Sequence, residues 1–119
     1  VLAKGAEALV DYLLAQYECY WLTTHCRGDV EGPLSYLRQY ADKPLMTKLL
    51  EIRATNFDVY KTEAIDLSED FIWIDDAPLR GELDALATAG RQDCWFAVNT
   101  YLRPNDLIRL LDDLKADEG

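Results

Sequence analysis

From Leu2 to Tyr17, the residues Leu2, Ala6, Leu9, Val10, Leu13, Leu14 and Tyr17 return at helical spacing, while Lys4, Glu7 and Asp11 fall on the other side. The pattern predicts an amphipathic helix laid on a core. It then changes: Cys19 to Thr23 (CYWLT) is a short apolar and aromatic run, as in a strand buried on both faces. Gly28, Gly32 and Pro33 break the chain after it. Helical spacing resumes from Leu34 to Leu50 in two pieces, divided around Asp42 to Pro44 because the residue before a proline avoids helical geometry. Ile52 to Tyr60 reads as a short strand or extended loop. Lys61 to Leu67 (KTEAIDL) reads as a brief helix leading into the strand FIWI, Phe71 to Ile74. Leu79, Leu83, Leu86 and Ala87 mark another helix that Gly90 can close in a left-handed conformation. Cys94 to Val98 (CWFAV) is a further strand, and Leu107, Ile108, Leu110, Leu111 and Leu114 form a last helix begun near Pro104 or Asn105.

Helices alternating with short, nearly all-apolar strands indicate an α/β fold: a three-layer Rossmann-like sandwich with a mostly parallel sheet and helices on both faces. The 119 residues suit one domain, 1–119, with a single core. Three of the expected strands end on polar residues: Thr23 and Thr24, Asp75 and Asp76, Asn99 and Thr100. Ligand crevices in open α/β sheets lie beyond the carboxyl ends of the strands, so these tips are expected to converge on one site.

Charge narrows the ligand. Twenty-two acidic against 12 basic residues give a net charge of -10, without a basic patch, which argues against nucleic acid. A small anion held through a divalent cation is compatible with that surface. The three cysteines, Cys19, Cys26 and Cys94, have neither CxxC nor Cys/His ligand spacing, which points away from a disulfide framework or zinc site and toward a reducing cytoplasm. The sequence contains no apolar run long enough to span a bilayer. Trp21, Trp73 and Trp95 all lie in expected strands and read as core.

Asp75 and Asp76 are the clearest chemical signal. Adjacent carboxylates at a strand tip raise one another's pKa, a conflict that a bound cation removes. Mg²⁺ suits the position, because it takes oxygen ligands, uses one or two carboxylates and completes its shell with water and phosphate. The plain alternative is Asp76 as the cap of a helix beginning near Pro78, with Asp75 facing solvent. Lys61 stands at a helix start, where the macrodipole disfavours a cation, so it is a candidate anion ligand as well as an ordinary surface lysine. Thr23 and Thr24 offer hydroxyl and backbone donors, and Arg27 follows in a glycine-containing loop. His25 and Cys26 are chain neighbours that point apart and lack an orienting third group, so His25, like Arg27, is a candidate for substrate contact and not for nucleophilic catalysis.

A hydroxyl at one strand end, a lysine before the next and paired aspartates at that strand's tip together resemble the haloacid dehalogenase superfamily of phosphatases. The resemblance covers nearly the whole chain. It makes YWLTT the phosphate-binding hydroxyl motif, with Thr23 or Thr24 as the residue; Lys61 the phosphate-binding lysine, with Lys48 as competitor; and IWIDD, with Asp75 and Asp76, the metal motif. It implies a Mg²⁺-dependent phosphohydrolase acting on a small phosphorylated substrate, and because residues 24–60 are mostly accounted for by helix and extended chain, little room is expected for a cap. The family's nucleophilic aspartate sits on an apolar strand ending DxD before the first helix, and no such segment stands before Val1. The expectation is therefore a chain continuing upstream of Val1. Without that segment the same residues would form a catalytically inactive binding or regulatory domain. A receiver-like phospho-acceptor domain uses similar residues in a different order.

Overall fold

The computed structural model describes residues 4–22 and 31–118. Among these residues five α-helices dominate: α1 (Ala6–Gln16), α2 (Glu31–Leu37), α3 (Lys43–Leu49), α4 (Arg80–Ala89) and α5 (Asp106–Glu118). Two short strands, β1 (Trp73–Asp75) and β2 (Trp95–Ala97), flank α4 in sequence, and 3-10 turns cover Lys61–Ala64 and Gln92–Cys94. Local chemistry accounts for the boundaries. Asp42 caps α3 by accepting the Leu45 N–H at 3.0 Å, with Pro44 in the first turn. Gly90 ends α4 at φ 70°, the left-handed conformation that favours glycine.

Two apolar clusters support these elements. Leu9, Leu110, Leu111 and Leu114 pack with Ile72, Ile74, Phe96 and Val98, so α1 and α5 cover one face of the β1/β2 pair. Period-2 alternation turns Trp73, which is also buried, to the opposite face. Leu34, Leu45 and Leu49 form the second cluster with Val10, Trp21 and Ile52, tying α2 and α3 to α1 and to the chain after it.

The three-layer Rossmann-like sandwich with a mostly parallel sheet, expected from the sequence as a capless domain, is not what forms. Among the described residues the sheet has two strands, parallel, with Trp73 opposite Trp95 and Asp75 opposite Ala97. Residues Cys19 to Leu22 make one parallel bridge, between Tyr20 and Arg53, through Trp21 N–H to the Arg53 carbonyl at 2.8 Å and Arg53 N–H to the Cys19 carbonyl at 2.9 Å. A groove of about 560 Å³, lined by Tyr20, Leu22, Ile72 and Ile74 among others, separates that segment from β1. The reason for the mismatch is physical. An apolar run reports burial, whereas a strand also needs a neighbouring backbone in register, and among the described residues Cys19 to Leu22 meets one only at Arg53.

Candidate functional site

The carboxyl ends of β1 and β2 open on a cleft of about 430 Å³. Its walls include Lys61, Asp75 and Asp76, with Asn99, Thr100 and Tyr101 from the chain after β2, and Leu22. Two of the three polar tips anticipated from the sequence thus meet in one place. Leu22, in the same wall, is the residue before Thr23. Thr23, Thr24, His25 and Arg27 themselves lie outside the described residues.

Asp75 is held from several directions. Its carbonyl oxygen accepts the Val98 N–H at 3.2 Å and the Trp95 indole N–H at 3.1 Å, which fixes the end of β1 against β2. Its side chain is only 7% exposed and meets the Lys61 Nζ at 2.6 Å, while its other carboxylate oxygen accepts the Ala77 N–H at 3.3 Å. Burial pushes the Asp75 carboxyl upward, but the Lys61 ammonium, the Asp76 side chain and the Ala77 amide outweigh it and hold the group below its ordinary value. The strand therefore ends on two aspartates because Lys61 neutralises the inner one. Asp76 is exposed, and it is not the cap of the next helix, since α4 starts at Arg80 with Leu79 at the capping position.

Lys61 begins the 3-10 turn, as the sequence suggested, although the turn is only four residues long. Its competitor is engaged elsewhere: Lys48 on α3 pairs with Glu7 at 2.8 Å and Asp11 at 2.9 Å on α1, and Glu7 first, then Asp11, raise its pKa. On the other wall, Asn99 is set by Asp106, the first residue of α5. Asp106 is 1% exposed and accepts the Asn99 N–H at 2.7 Å. Arg109 at 2.7 Å, that amide and Arg103 at 3.2 Å hold its carboxyl far below the usual carboxylate range.

Three positioning contacts go beyond what the pattern of the chain marks. Trp95 reads as core, yet its indole N–H secures Asp75. Asp106 carries no mark in the sequence. Glu82 was unmarked, although its place three residues after Leu79 is the spacing of a helix-capping glutamate, a signal that could have found it.

Of the two adjacent carboxylates at the β1 end, Asp76 is exposed while Asp75 is engaged by Lys61 and the Ala77 N–H; Mg²⁺ is an ion that can use a single protein carboxylate and fill its shell with water and phosphate. Among the described residues no group of three or more His, Cys, Asp or Glu side chains is placed to hold a metal. Nor, among them, is any helix long and apolar enough to cross a membrane. No family model, curated protein or solved structure matches this chain.

Proposed function

We propose that the protein is a Mg²⁺-dependent phosphohydrolase of the haloacid dehalogenase type, working in a reducing cytoplasm on a small phosphorylated substrate. The observation that carries this reading is the meeting of Lys61 with Asp75 and Asp76 at the carboxyl ends of two parallel strands. Lys61 would hold an equatorial phosphoryl oxygen, with Thr23 or Thr24 as the hydroxyl donor, and Asp75 and Asp76 would hold the metal. Mg²⁺, when bound, supplies charge neutralisation on the phosphoryl oxygens. Asp75 keeps the ammonium oriented before an anion arrives, so the cleft is organised in advance. The chemistry in this reading is attack of an aspartate carboxylate on phosphorus, which expels the alcohol and gives an aspartyl-phosphate that water hydrolyses.

One observation favours a second reading, a phosphate-binding domain without catalysis: Asp75 already spends one oxygen on Lys61 and the other on Ala77 N–H. A single assay separates the two. The naturally produced protein should release phosphate from p-nitrophenyl phosphate only with Mg²⁺, and Asp75→Asn should cut kcat by about 10² or more. Phosphate binding without release identifies the binding domain, and neither binding nor release overturns both.

A further inference from the structure

The geometry points to Glu82, with Gly81 beside it, as the positioning residue that sets the Lys61 ammonium against Asp75. Its consequence for anion binding rests on the phosphohydrolase reading, whereas the positioning itself does not.

Glu82 lies in the first turn of α4 and is 1% exposed. One carboxylate oxygen accepts the Leu79 N–H at 2.7 Å, an orphan donor of the helix end. The other accepts the backbone N–H of Lys61 at 2.5 Å, from a segment 21 residues earlier in the chain. Burying a carboxylate is an expensive way to cap a helix, since Ser, Thr, Asp or Asn at the Leu79 position would serve with less desolvation. The second bond is what a local cap would lack.

Gly81 makes an independent contact with the same segment. A Cβ there would fall 2.4 to 2.6 Å from the Tyr60 ring, so the ring seats where only a hydrogen fits. Two successive residues of α4 thus grip two successive residues of the turn: Gly81 receives the Tyr60 ring and Glu82 the Lys61 amide. A lysine stem has many rotamers, and its ammonium is placed well only if its base is fixed. With the amide pinned, the side chain reaches Asp75 Oδ2 at 2.6 Å. Glu82 is not part of the cleft wall and acts through Lys61.

The test is NMR of the Lys61 side chain, its Cε order parameter and its Hε–Asp75 Hβ cross-relaxation, in the wild-type chain and in Glu82→Gln, Gly81→Ala and Leu45→Ala. Glutamine keeps the volume but has one acceptor oxygen for two N–H groups, and alanine at 81 displaces Tyr60 while sparing Glu82. Both should lower the order parameter and weaken the cross-peak, because the base of the lysine stem is then less fixed. Leu45→Ala, in the α2/α3 cluster, should lose stability without changing either. If Glu82→Gln and Gly81→Ala leave both as in wild type, the positioning role is overturned. Inorganic phosphate with Mg²⁺ should bind Glu82→Gln about tenfold more weakly than wild type, as expected for one weakened charge-assisted contact. Equal affinity in the two overturns the effect on anion binding. Phosphate binding to neither, with the Lys61 side chain still loosened in Glu82→Gln, leaves the positioning role standing and removes the phosphohydrolase reading.

Discussion

Asp75 and Lys61 set the pH behaviour of the cleft. A carboxyl whose folded pKa lies below its unfolded value stabilises the fold above the unfolded value, about 3.9 for aspartate, and that contribution is lost as pH falls through the folded one. Asp75→Asn should therefore lower the unfolding free energy at pH 7 by about 1 to 3 kcal/mol, the range for losing a charged partner in a mostly buried hydrogen bond. The gap from wild type should shrink below about pH 4 as the native aspartate protonates. Urea titrations at pH 7 and pH 3 check this; a gap that stays constant would show that the pair contributes no linked stability. Asp106 makes a related case on the other wall. Asp106→Ala removes the acceptor of the Asn99 N–H and the partner of Arg109 and Arg103, so Tm should fall and the Asn99 amide should exchange faster with solvent. Unchanged exchange at Asn99 would contradict the account of that wall.

At the scale of elements, α5 is the main support of the β1/β2 pair. Leu110, fully buried, packs in the cluster that includes Ile74 and Phe96, and Leu110→Ala should cost about 2 to 5 kcal/mol in denaturant unfolding. Gly90→Ala should cost about 1 to 2 kcal/mol, because an L-residue is strained at φ 70°. Helices were the legible elements: the periodic leucines of α1 and α5, the Asp42–Pro44 break and the Gly90 stop each follow from local chemistry. Strands were legible in part: Phe71 to Ile74 and Cys94 to Val98 read as strands and carry β1 and β2. Cys19 to Leu22 looks like Phe71 to Ile74 as an apolar run, yet among the described residues the first finds one bridge and the second a three-residue ladder beginning at Trp73, because pairing depends on which backbone arrives alongside. The cleft was legible in part for the same reason. Polar residues at the ends of apolar runs marked Asp75, Asp76, Asn99 and Thr100, whereas the roles of Trp95, Glu82 and Asp106 arise from contacts across 20, 21 and 7 residues of chain.

Across the whole molecule, the acidic surface and the single cation in the described cleft wall define what can approach. A net charge of -10 repels long polyanions, while Lys61 offers a small anion one local positive charge. A divalent cation at Asp75 and Asp76 would add the charge a phosphoryl group needs. The most direct measurement is a calorimetric titration of Mg²⁺ into the protein with inorganic phosphate present, run beside Asp75→Asn. The account predicts saturable single-site binding in the wild type that Asp75→Asn abolishes. No saturable binding, or the same binding in the variant, would contradict it.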